Sequence, residues 1–185
     1  MYQKMSETIK NHYGSKRGIL NYYKYQLLLK LGFYNKYKNI DFSCAKRLVF
    51  VCSGNICRSP LAEVVARQKG VDAVSFGLHC HGGAPADKRA ILFAEQHGFN
   101  LADHKARNIV EYKPVPGDLM VGMEPKHAHE LELLKNVESE GISLIAIINK
   151  SPQAYLHDPY NANECFFSKC EMDVIRSVES LIGRL

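Results

Sequence analysis

The chain predicts an α/β fold, a three-layer α/β/α arrangement around a four-stranded parallel sheet. Three observations predict it. From Arg47 onward, apolar β-branched runs alternate with helix-periodic stretches, the pattern of strand–helix–strand units whose crossovers cover both faces of a parallel sheet. The first run, Leu48-Val49-Phe50-Val51, passes directly into a tight loop that ends where Leu61-Ala62-Glu63-Val64-Val65-Ala66-Arg67 begins to alternate like a helix. Finally, 185 residues with 46% apolar content support a real core for one domain and two only with difficulty.

Strand one is expected at Arg47–Val51, followed by a helix from about Arg58 to Lys69. Val71–Phe76 predicts strand two, ended by Gly77. After Gly82-Gly83-Ala84-Pro85, residues Ala86–His97 predict a helix with Gly98 as its stop signal. Leu119–Met123 predicts strand three, and a helix follows from Pro125 to Lys135. The strongly β-branched Ile142–Ile148 predicts strand four. A loop, Asn149–Asn163, then leads to a final helix from Glu164 to Leu185, whose Phe167, Cys170, Val174, Val178 and Leu181 recur at three and four residues.

The loop after strand one carries the chemistry. Cys52-Ser53-Gly54-Asn55-Ile56-Cys57-Arg58-Ser59-Pro60 puts a cysteine and an arginine on a turn between a strand and a helix N-terminus. Backbone N–H groups and the helix dipole make such a turn an oxyanion cradle. Arg58 can grip two oxygens in a fork, and the same field favours a Cys52 thiolate. The fold class therefore includes a phosphate-binding loop after strand one, at the carboxyl edge of the sheet where ligands bind. A thiolate aimed at bound phosphate is a nucleophile for phosphoryl transfer.

Charge divides the chain near residue 46. Residues 1–48 hold ten Lys/Arg against Glu7 and Asp41, while the remainder is slightly acidic; seven of the ten tyrosines also fall in the first part. Within it, residues 16–38 predict a basic helix with an apolar stripe, broken near Gly32. Docking on an anionic membrane surface, recruiting a partner, covering the active site, and simple packing or disorder are all compatible with that segment. No reading motif for nucleic acid is present. No apolar run is long enough to span a bilayer, and the first 20 residues contain no signal-peptide core, so reduced thiols in a cytoplasm are expected for the six cysteines. A zinc site from Cys52, Cys57, His79, Cys80 and His81 matches no structural spacing. His79-Cys80-His81 is expected near the site rim.

On these residues the chain resembles the low-molecular-weight protein tyrosine phosphatases, over about residues 47–185 and as a bacterial-type member. The carriers are the Cys52–Pro60 loop, Asp158-Pro159-Tyr160, Ser75-Phe76-Gly77-Leu78, Asp103-His104-Lys105-Ala106-Arg107 and Asp118-Leu119-Met120-Val121-Gly122-Met123-Glu124. The resemblance implies a catalytic domain at 47–185 behind an extension at 1–46, and hydrolysis of phosphotyrosine through a phosphocysteine. Cys52 is then the nucleophile, Arg58 the holder of the equatorial oxygens and Asp158 the general acid. Ser53, Gly54, Asn55, Ile56, Cys57, Ser59 and Tyr160 form the substrate site. Ser75 and His104 support the loop. Ser59 helps the cysteine leave, Ile56 disfavours a branched guanidinium group, and Cys57 is a candidate redox partner of Cys52. No metal or organic cofactor is implied. The partners implied are phosphotyrosine proteins, a bacterial tyrosine autokinase among them. Two rival functions share these features: arsenate reduction, for which Cys165 and Cys170 offer a relay pair at poor spacing, and phosphotyrosine binding without catalysis.

Overall fold

The structure, a computed structural model, describes residues 2–134 and 139–185. Helices α1 (Tyr2–Tyr13), α2 (Lys16–Lys30) and α3 (Asn35–Lys38) precede strand β1 (Arg47–Cys52). Then follow α4 (Arg58–Gln68), β2 (Asp72–Gly77), α5 (Lys88–Gln96), a 3-10 turn (Ile109–Glu111), β3 (Asp118–Gly122), α6 (Pro125–Leu133), β4 (Gly141–Leu144) and α7 (Glu164–Ile182). All four strands are parallel, in the order β2-β1-β3-β4.

The central place of β1 explains its composition. Flanked by strands on both sides and covered on both faces, it reads as a continuous apolar run rather than an alternating one. Leu48 and Phe50 join the cluster of Leu61, Val65, Val174 and Val178 from α4 and α7. Val49 and Val51 face the other way, toward Phe76, Met120 and Leu131. Each such fully buried side chain contributes about 1.5–3 kcal/mol relative to exposure. At the amino end, Arg47 Nε and Nη2 donate to the buried Asp118 carboxylate at 2.6 and 2.7 Å, pinning β1 to β3. At the carboxyl end the chain leaves β1 for β2 on one side and later returns to β3 on the other, which opens a crevice there.

Strand four ends earlier than the sequence predicts. Ile145, Ala146, Ile147 and Ile148 form a buried turn, not a strand continuation. Their β-branched character reports burial, which β propensity cannot separate from extension. The turn has a purpose: it curls the chain so that residues 149–163 come back over the crevice, anchored by Leu156 N–H donating to Met123 O at 3.0 Å. The predicted end of α6 at Lys135 lies outside the described residues. The other boundaries coincide or shift by up to three residues.

The extension is ordered against the rest of the chain. The predicted basic helix is α2 and α3 with the break around Gly32, and α1 adds a helix that no strong apolar periodicity announced. Ser143 Oγ donates to Tyr37 O at 2.8 Å, and Lys36 pairs with Glu132 at 2.6 Å. Lys169 Nζ donates to His12 O at 3.0 Å, and the Tyr25 ring stacks on Tyr155 at 4.7 Å. Leu20, Tyr23, Leu27 and Leu31 of this segment stay exposed. No helix among the described residues is long and apolar enough to cross a membrane.

Candidate active site

Residues 53–57 curl beneath the N-terminus of α4. Asn55 makes the turn at φ 53°, a left-handed conformation that asparagine tolerates better than most residues. Gly77, paired with Cys52 at the strand ends, lets the loop sit close: a Cβ there would lie 2.9 Å from Ser53 O. The sulfur of the buried Cys52 has the Asn55 N–H at 3.2 Å and Ser59 Oγ at 3.0 Å. Asn55 Nδ2 already donates to Ser59 Oγ at 2.9 Å, which leaves the Ser59 proton for the sulfur or for Phe76 O at 3.4 Å. Among the described residues, the amides of Ser53, Gly54, Ile56 and Cys57 donate to no protein group. Such clustered free donors at a helix start are an anion site.

Behind the loop, every polar atom of the Asn55 side chain is engaged. Nδ2 also donates to Ser75 Oγ at 2.8 Å, and Oδ1 accepts from Arg107 N–H at 2.8 Å. The Asn55 carbonyl accepts from His104 Nε2 at 2.8 Å. Burial holds His104 below the ordinary histidine range, and the donated Nε2–H fixes its neutral tautomer. Ser75 Oγ donates to Glu63 Oε2 at 2.6 Å, and that oxygen also accepts from Arg107 Nη2 at 2.8 Å. Arg107 and Glu63 were not assigned roles from sequence, although Arg107 closes one of the motifs.

Arg58 is buried, with its guanidinium spread over three acceptors. Nη1 donates to Leu156 O at 2.9 Å and to Glu124 Oε1 at 3.3 Å, and Nη2 meets Asp158 Oδ2 at 2.9 Å. Burial pulls its pKa down, but Asp158, Cys52 and Glu124 outweigh that and hold it above the ordinary value. Burial pushes Glu124 up, against the pull of Arg58. Asp158 is 43% exposed; its Oδ1 accepts the Tyr160 N–H at 3.1 Å, a turn that orients the carboxylate. The fully buried His127 places Nε2 3.0 Å from Ser53 Oγ and 3.3 Å from Glu124 Oε1. Burial, then Arg58, pushes it down to about 2, so it is a neutral group packed beneath Ser53, and its Nδ1 has no partner among the described residues. Sequence reasoning missed Glu124 and His127 in the site. The available signal was their position, directly after β3 at the carboxyl edge and around Pro125 at a helix start.

Cys52, Ser53, Gly54, Ile56, Cys57 and Arg58 line one cleft of about 700 Å³ with Asp158 and Tyr160. Asn55 and Ser59 lie beneath it, and Ser75 and His104 behind the loop. Helix α2 supplies a further wall. Burial pushes the Cys57 thiol up, with Glu171 adding to the effect. His79, Cys80 and His81, expected at the rim, do not line the cleft; His79 instead pairs with Glu130 at 3.1 Å. Among the described residues no group of three or more His, Cys, Asp or Glu is placed to hold a metal ion. Cys165 is exposed and Cys170 buried, both on α7. Five positions on a helix point to nearly opposite faces, a poor geometry for a relay.

Residues 47–185 match the sequence profile described as low molecular weight phosphotyrosine protein phosphatase. The probable low molecular weight protein-tyrosine-phosphatase EpsP of Ralstonia nicotianae is 27% identical over 142 residues, covering 76% of this chain and 96% of the relative. The low molecular weight phosphotyrosine protein phosphatase of Sus scrofa is 30% identical over 156 residues, with the same two coverages. The crystal structure of the Erwinia amylovora tyrosine phosphatase AmsI superposes with a TM-score of 0.65 at 25% identity, covering 76% of this chain and 93% of that one. With the profile spanning the sheet, the loop and the distal aspartate, the chain belongs to the low-molecular-weight phosphotyrosine protein phosphatase family.

Proposed function

We propose that the chain hydrolyses phosphotyrosine in proteins in two steps through a phosphocysteine at Cys52, with residues 47–185 as the catalytic domain. The observation that carries this reading is one cleft uniting the Cys52 sulfur, the free loop amides, the buried Arg58 and the Asp158 carboxylate.

The Cys52 thiolate attacks phosphorus in line with the aryl oxygen. The P–O bond breaks, the S–P bond forms, and Asp158 gives its proton to the leaving phenolate. Arg58 and the loop amides hold the three equatorial oxygens, where transition-state charge is spread. Water then attacks phosphorus, Asp158 takes its proton, and the S–P bond breaks with the Ser59 hydroxyl facing the departing sulfur. No step calls on a metal or organic cofactor. Substrates are phosphotyrosine proteins, and we include a bacterial tyrosine autokinase and a cytoplasmic setting in the same proposal.

Hydrolysis of p-nitrophenyl phosphate in reducing, metal-free buffer tests the assignment. Cys52→Ser is expected to abolish turnover. Asp158→Ala is expected to lower kcat by roughly 10²-fold or more. Turnover untouched by Cys52→Ser would overturn the reading.

A further inference from the structure

We propose that α2 is part of the substrate site, and that Arg17 and Lys24 form a second anion-binding position. That position selects phosphotyrosine peptides with another negative group beside the phosphotyrosine. The inference rests on the phosphatase reading above and concerns what lies next to the reacting phosphate.

Arg17, Asn21, Lys24 and Tyr25 of α2 line the same cleft as Cys52 and Arg58. Steps of four and three put Arg17, Asn21 and Lys24 on one ridge of the helix. The ridge is held firmly in place. Ser15 Oγ caps α2 by accepting the Gly18 N–H at 2.9 Å. Gly18 is buried so closely that a Cβ there would lie 1.8 Å from Tyr13 O and 3.2 Å from His157 Cε1. Tyr25 stacks on Tyr155, whose hydroxyl lies 2.9 Å from His157 Nδ1. His157 precedes Asp158, so α2 and the loop carrying the proposed acid form one packed unit.

Charge decides what this wall recognises. The two acids lining the cleft, Glu124 and Asp158, both engage Arg58. Arg17 and Lys24 are exposed, and among the described residues neither takes part in an ion pair. Once a phosphotyrosine phosphate occupies the Cys52 loop, the residues flanking it pass along α2. A carboxylate or a second phosphate there meets two cations without an ion-pair partner among the described residues, Lys24 lying over the Tyr25 ring at 5.4 Å, whereas a lysine is repelled. Each exposed pair adds about two- to fivefold in affinity, and two together roughly tenfold.

The full-length chain is assayed on three phosphotyrosine peptides that differ only in flanking residues: neutral, glutamate-flanked, or carrying a second phosphotyrosine. At low salt the wild type is expected to show roughly tenfold higher kcat/KM on the acidic peptides than on the neutral one, shrinking as salt screens the contact. Arg17→Glu/Lys24→Glu is expected to reverse that preference; both residues are exposed, and a matching melting curve confirms the fold. The larger gain, with glutamate or with phosphate, identifies the natural anion. If wild-type turnover of p-nitrophenyl phosphate is normal but no preference exists, or the charge-reversed variant keeps it, the second anion position is wrong. Absence of any turnover instead overturns the phosphatase reading beneath it.

Discussion

Asn55 concentrates the site's design in one residue. It holds a left-handed backbone, gives its N–H to the proposed nucleophile, and ties Ser59, Ser75, His104 and Arg107 into one brace. Alanine at this position keeps the strained φ, which costs roughly 1–2 kcal/mol, and leaves buried donors and acceptors unpaired at about 1–3 kcal/mol each. Asn55→Ala is therefore expected to lower kcat/KM at least about tenfold and to melt earlier than Asn55→Gly, which relieves φ but not the lost bonds. Equal melting temperatures for the two variants, measured by calorimetry, would count against strain at this position.

At the scale of elements, the sheet and its loop were legible because parallel strands announce themselves as apolar runs and the Cys52 loop sits between one of them and a helix. Strand four was over-read because Ile145–Ile148 are apolar for burial in a turn. The placement of α2 was legible only as alternatives. Covering the active site and packing against the domain were both open, but contact between distant segments leaves no periodic mark to choose between them, and the decisive residue is a glycine inside a helix. Gly18 permits the close approach of α2 to Tyr13 and His157. Gly18→Ala forces a shift of main chain rather than of a side-chain tip, which is expected to lower Tm by about 5 °C. An unchanged melt would mean that α2 does not hold this position in solution. In the brace, Ser75 and His104 were reachable through the resemblance. Glu63, Glu124 and His127 were not, since a polar side chain on or beside a helix reads as solvated until the tertiary structure buries it.

For the molecule as a whole, Glu171 ties stability to pH across the neutral range. It is fully buried on α7, and neither carboxylate oxygen has a partner among the described residues. Burial pushes its pKa up to about 8, opposed by Arg58 and reinforced by Asp158 and Asp87. An unfolded glutamate ionises near ~4.3. Between these values the folded chain keeps a proton that the unfolded chain has lost. This contribution to stability is therefore complete below about pH 4 and declines as pH rises toward 8. Glu171→Gln is expected to flatten that slope, melting a few degrees above wild type at pH 7.5 and close to it at pH 4.5. Parallel Tm-versus-pH curves for the two proteins would show that Glu171 is not the source.

The stack of Tyr25 on Tyr155 at the edge of the cleft also has an optical consequence. The chain contains no tryptophan, ten tyrosines and eight phenylalanines, so at the long-wavelength end of the near ultraviolet its absorption and aromatic dichroism come mainly from phenol rings. Two of those rings lie face to face at 4.7 Å and 18° in the lining of the cleft. The native protein thus carries its own spectroscopic reporter of cleft occupancy, readable without an attached dye.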